Sequence, residues 1–173
     1  YYVVAHLHYV LFGGSVFAIF AAFYYWIPKM SGRLMNERLG KLHFWLMLIG
    51  FNLTFFPMHQ LGIDGMNRRI ADYSASTGWQ TLNLLSTAGT AILALSITVF
   101  LINFFTSMRK GDIAGDDPWS GNTLEWATTS PPPPHNFTHI PPVKSERPVY
   151  DMRNAGQAAP AGELRLPEGD VRG

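Results

Sequence analysis

Two imidazoles two residues apart, His6 and His8, sit in a run from Val3 to Ile27 that is otherwise apolar apart from a few hydroxyls. Histidine inside such a run is costly unless it has a partner or a task. At ~100° per residue, positions i and i+2 of a helix point ~200° apart, so the two rings leave on nearly opposite faces. One helix can therefore offer one imidazole to each of two partners. Neutral imidazole is an axial ligand for haem iron; the alternative is that both rings hydrogen-bond to neighbouring helices, which requires two separate buried partners. The chain has no cysteine, which excludes disulfides, thiolate metal sites and covalent c-type haem attachment. A haem here is held by coordination and packing alone. A second pair, Arg68-Arg69, lies among turn-forming residues. Guanidinium forks hold carboxylates, haem propionates among them, through paired charge-assisted bonds; the alternative is two solvated loop cations.

The elements that must position these residues read as membrane helices. The first, over about residues 3–27, is long enough to cross a hydrocarbon core of ~30 Å. Gly13, Gly14, Ser15, Ala18, Ala21 and Ala22 let another helix or a flat cofactor approach its backbone. Phe23 to Trp26 form an aromatic belt, and Pro28 is expected to end the helix. The next connection carries Lys29, Arg33, Arg38 and Lys41 against Glu37, which by the positive-inside rule makes it cytoplasmic. A second helix is expected over about residues 42–58, then an outer loop from His59 to Gln80 containing Arg68-Arg69, and a third helix over about residues 79–105. Arg109-Lys110 follow it. Three crossings put that pair on the side of the first basic loop, with the N-terminal end outside. Residues 1–110 thus form a three-helix transmembrane segment, and residues 111–173 a Pro/Gly-rich cytoplasmic tail, partly disordered. Within the tail, Asp116 to Trp126 read as a short ordered element and Pro131 to Pro134 as extended polyproline. From Thr138 onward the composition has little capacity to bury a core.

Composition agrees with this division. Charged residues make up 14% of the 173, well below the ~25% usual for soluble domains, while 47% are hydrophobic and 14% aromatic. A mean hydropathy near zero averages an apolar first part with a polar, Pro-rich last part. The net charge of +1 and the scattered basic residues give no nucleic-acid footprint. The first residue is Tyr, with no charged leader ahead of it, so the chain reads as a piece of a longer one.

The segments Tyr1-Tyr2-Val3-Val4-Ala5-His6-Leu7-His8-Tyr9-Val10-Leu11, Lys41-Leu42-His43-Phe44, Gly50-Phe51-Asn52-Leu53-Thr54-Phe55-Phe56-Pro57-Met58-His59 and Gly65-Met66-Asn67-Arg68-Arg69-Ile70-Ala71-Asp72-Tyr73 closely resemble subunit I of haem-copper terminal oxidases. The resemblance runs from about Tyr1 to Arg109. The stretches Pro118-Trp119, Leu124-Glu125-Trp126 and Pro131 to Phe137 are similar to the cytoplasmic extension of bacterial members.

That resemblance implies an all-α membrane protein: three transmembrane helices, the tenth to twelfth of a twelve-helix subunit, plus an extended Pro-rich cytoplasmic tail, in a bacterial inner membrane. It implies that His6 ligates a high-spin haem iron at the oxygen-reducing centre and His8 a low-spin haem iron, both haems being of A type. Arg68 and Arg69 would pair with propionates, with Tyr1 beside them. Leu7 stands where many relatives have Phe and keeps an apolar spacer; His43 has no role beyond packing. Copper is implied in the full subunit, its ligands absent here. No complete catalytic set is therefore present, and the fragment alone is expected to be inactive. The implied reaction is reduction of dioxygen to water with electrons from cytochrome c, coupled to proton translocation. Implied partners are the remaining helices of subunit I, oxidase subunits II and III, cytochrome c and the lipid bilayer. The alternatives are a quinol-oxidising member of the same family, or a bis-haem membrane electron-transfer cytochrome without oxygen chemistry.

Overall fold

A computed structural model describes residues 1–155. Its frame is three long helices, Tyr2–Ser31, Glu37–Ile63 and Gln80–Lys110, each long and apolar enough to cross a membrane. At ~1.5 Å per residue they run roughly 40–46 Å, more than a ~30 Å core, so their ends project past it or the helices tilt. Among the described residues the only β pairing is an isolated antiparallel bridge between Arg33 and Ile113. Two 3-10 turns, Ala75–Thr77 and Leu124–Ala127, and a short helix, Pro148–Asn154, complete the regular structure.

The helices outrun their expected ends for identifiable reasons. Pro28 lies inside the first helix. Proline removes one backbone donor, but the stop is set by Gly32, whose φ of +72° is the left-handed conformation glycine adopts cheaply, and whose N–H closes onto the Pro28 carbonyl at 2.8 Å. The second helix starts early because Asn36 caps it, its side-chain oxygen accepting from the Leu39 N–H at 3.1 Å. It also continues past Pro57 and His59 to Ile63, because Gly62 acts as a contact residue and not as a turn. A Cβ there would lie 2.1 Å from the Tyr2 backbone nitrogen. Arg109 and Lys110 belong to the last turn of the third helix, where cations oppose the negative end of the helix dipole.

The first helix hides one irregularity. Phe12 to Val16 form a π-type turn in which the Phe17 N–H reaches back five residues to the Phe12 carbonyl. In an α-helix, residues five apart point ~140° away from each other. The wider turn stacks them, and both Phe12 and Phe17 meet the ring of Phe51, at 5.2 and 5.7 Å.

The second and third helices also pack backbone to backbone through glycine. A Cβ at Gly50 would sit 2.8 Å from the Leu93 nitrogen, and one at Gly89 2.5 Å from the Thr54 nitrogen. The small residues of the first helix behave differently: among the described residues Gly13 meets only the Phe51 ring, at 3.9 Å, and Gly14 meets nothing within 4 Å. Only 6% of that helix's most apolar stretch is buried, against 33% and 28% for the other two.

Beyond Lys110 the chain folds back over one end of the bundle. Arg33 donates to the Gly111 carbonyl at 2.8 Å, and the Leu34 N–H to the Asp112 carbonyl at 2.9 Å. Lys29, buried at 6% exposure, donates to the carbonyls of Asp116 at 2.7 Å and Thr128 at 2.6 Å, and lies 5.3 Å from the Trp126 ring. Trp126 is buried, its indole N–H on the Tyr25 hydroxyl at 3.1 Å. Residues 111–128 are thus tied down by long-range bonds that composition alone did not foretell. The expected disorder also covers residues 156–173, which lie outside the described residues.

Candidate functional site

The start of the first helix, the end of the second and the loop after it converge at one end of the bundle. The Tyr1 nitrogen donates to the Met66 carbonyl at 2.9 Å, while Gly62 brings the second helix against the Tyr2 backbone. Arg68 and Arg69 follow Met66 after one residue, Asn67. Both are exposed, and neither makes an ion pair among the described residues. Arg69 holds a φ of +64°, a left-handed conformation that costs a non-glycine residue roughly 1–2 kcal/mol. The two arginines therefore sit on a strained turn of the loop whose Met66 carbonyl accepts from the Tyr1 nitrogen. The histidines lie one to two turns further in, roughly 8–10 Å along the axis from Tyr1.

On the first helix, Ala5, His8, Tyr9 and Phe12 form the stripe that meets the second helix. Ala5 is fully buried, Tyr9 donates to the Asn52 side-chain oxygen at 2.7 Å, and the Tyr9 ring lies 4.7 Å from Phe51. His8 is half-buried on this stripe, its ring stacked on Phe55 at 4.3 Å and 14°. Its Nδ1 lies 2.7 Å from the Val4 carbonyl. A carbonyl only accepts, so Nδ1 carries the proton and Nε2 keeps its lone pair. His6 is exposed on the outward face, with no hydrogen bond to either ring nitrogen among the described residues. The two rings diverge, one inside the helix pair and one outside it.

Among the described residues no three His, Cys, Asp or Glu side chains cluster as a protein-built metal centre would require. Lone imidazoles on separate faces, one with its tautomer fixed by a carbonyl, suit a group that brings its own equatorial nitrogens and asks the chain for one axial donor. The donor set fits haem.

His43 is 2% exposed, far down the bundle among Phe20 at 4.8 Å and Phe100 at 5.3 Å. The Tyr24 hydroxyl lies 3.3 Å from its Nδ1, and its Nε2 has no partner among the described residues. Sequence reasoning missed Asn103, wholly buried, which exchanges two 3.0 Å bonds with the Asn36 backbone and so braces the cap of the second helix. An amide late in an otherwise apolar stretch of helix was the available signal. It also missed Phe55 and Lys29, whose partners lie 47 and about 100 residues away in the chain.

Residues 1–92 match the family model described as cytochrome c and quinol oxidase polypeptide I. The chain belongs to that family. Membership makes it a membrane polypeptide of the haem-copper oxidases, a family of oxidoreductases, in keeping with its three apolar helices. Among curated relatives it is 54% identical over 154 residues to the probable cytochrome c oxidase subunit 1-beta of Nocardia farcinica, covering 88% of this chain and 26% of the relative. It is 53% identical over 156 residues to the putative cytochrome c oxidase subunit 1-beta of Streptomyces coelicolor, covering 89% and 27%. To the cytochrome c oxidase subunit 1 of Thermostichus vulcanus it is 58% identical over 143 residues, covering 83% and 26%. The chain spans about a quarter of the length of these cytochrome c oxidase relatives.

Proposed function

We propose that this chain supplies the haem-ligating helix and the propionate-binding arginines of a respiratory terminal oxidase subunit I. The observation that carries the reading is the divergence of the two imidazoles, with Nδ1 of His8 held by the Val4 carbonyl and Nε2 left free. In this reading His6 offers its nitrogen to the high-spin haem iron and His8 to the low-spin one. The Val4 carbonyl fixes the His8 tautomer and raises its basicity. Arg68 and Arg69, on their strained turn, neutralise propionates, with Tyr1 beside them. Bound haem supplies electron transfer at one iron and oxygen binding at the other. Copper belongs to the complete subunit, held by residues outside this sequence.

The whole enzyme then reduces dioxygen to water and couples this to proton translocation. The donor is cytochrome c, a choice supported by the names of the relatives; the family description also includes quinol oxidases. Partners are the other helices of subunit I, subunits II and III and the lipid. The basic residues at one end of the bundle, Lys29, Arg33, Arg38, Lys41, Arg109 and Lys110, support a bacterial inner membrane orientation with the N-terminal end outside and residues 111–173 cytoplasmic.

The test is to replace His6 and His8 singly by Ala in the complete subunit and read reduced and carbon monoxide difference spectra. His6→Ala is expected to remove the carbon monoxide-binding component and His8→Ala the low-spin band. Loss of one and the same component in both variants rejects the two-haem reading. A native enzyme that binds no carbon monoxide when reduced would instead be an electron-transfer cytochrome.

A further inference from the structure

We propose that Phe55 is a positioning residue that sets the plane of the His8 imidazole, an inference that rests on His8 being an axial ligand. A ligand ring must be fixed in two senses: where its donor nitrogen aims, and how the ring is rolled about that direction. The Val4 carbonyl, 2.7 Å from Nδ1, fixes the first by directing Nε2 away from the helix backbone. One hydrogen bond leaves the second free, because the ring can roll about the N···O line without breaking it. The face of Phe55 removes that freedom: the two rings lie 4.3 Å apart and only 14° from parallel, so any roll of the imidazole drives its edge into the phenyl ring.

Phe55 can do this because it is itself held. Its ring lies 5.4 Å from Phe51 and 6.1 Å from Phe12, and Phe51 is stacked on Phe12 at 5.2 Å and 20°. Phe12 is in that place because the π-type turn begins with it. The backbone irregularity of the first helix and the aromatic row of the second thus converge on the roll of a single ring. Roll matters for an axial imidazole because its π orbital overlaps the iron d orbitals in a direction set by the ring plane. Outer partners of a ligand tune the metal in this manner.

The test uses the complete oxidase with its haems, and reads the ferric low-spin electron paramagnetic resonance signal and the low-spin midpoint potential. Phe55→Leu and Phe55→Met keep apolar bulk and lose the flat face; the second guards against misfolding of the first. Both are expected to broaden the signal, shift its largest g value and shift the potential, while Phe55→Tyr, which keeps the ring, stays native in all three. Native signals in the Leu and Met enzymes, with the low-spin signal lost in His8→Ala, overturn the positioning role and leave ligation standing. A low-spin signal that survives His8→Ala removes the ligation reading, and this inference with it.

Discussion

The seam between the second and third helices and the outer face of the first are written in the same small residues, yet they are used in opposite ways. At the seam, Gly50 and Gly89 let backbone meet backbone, and no side chain could be added without pushing the helices apart. On the first helix, Gly14 meets none of the described residues and Gly13 makes one ordinary contact. Small residues in membrane helices are thus permissive and not instructive: they allow close approach, and what approaches depends on the opposite surface. The seam is a scaffold finished within these residues. The first helix is a presented surface whose inner stripe is docked and whose outer face carries His6.

This contrast can be broken most sharply at Gly89. Gly89→Ala places a methyl 2.5 Å from the Thr54 nitrogen and is expected to cost about 3 kcal/mol by overpacking against backbone; Gly13→Ala should leave thermal stability of the complete subunit close to native. Equal melting temperatures for the two variants would show that seam and face do not differ. Next in size is Asn103→Leu, which removes the two hydrogen bonds that tie the third helix to the Asn36 backbone, a loss of about 2 kcal/mol at roughly 1 kcal/mol each, readable in the same melts. Smallest for the bundle is Lys29→Met. It frees the carbonyls of Asp116 and Thr128, a local loss of about 1.5 kcal/mol. Limited proteolysis should then cut first within residues 112–130 while the helices stay intact; unchanged cleavage would mean that the Trp126 contacts hold the segment alone.

Much of the scaffold was legible because long apolar runs have few alternatives. The three spans and the divergence of His6 and His8 follow from hydrophobic length and 100° per residue. Helix ends were legible only in part, since Pro28, Pro57 and Gly62 are breakers by local chemistry and helix residues by context. Gly62 is where Tyr2 needs room, and a contact sixty residues away in the chain has no local sign. The same limit hid the Phe55 stack and the Lys29 clasp. The turn at Phe12 to Val16 was hidden differently: its glycines were visible but read as a contact stripe, when two successive residues without Cβ also ease a wider winding.

That wider winding has a consequence for how the helix can vary. One surplus peptide midway lets the portion before it and the portion after it face the neighbouring helix in separate phases, Ala5, His8, Tyr9 and Phe12 in one and Phe17, Phe20 and Tyr24 in the other. Rewound as a plain α-helix with the same number of residues, the rod would turn its lower half by ~100° relative to its upper half. A change of winding in this region without a matching change of length is therefore a change of aim, and the aromatic contacts near His43 depend on a turn made some thirty positions earlier.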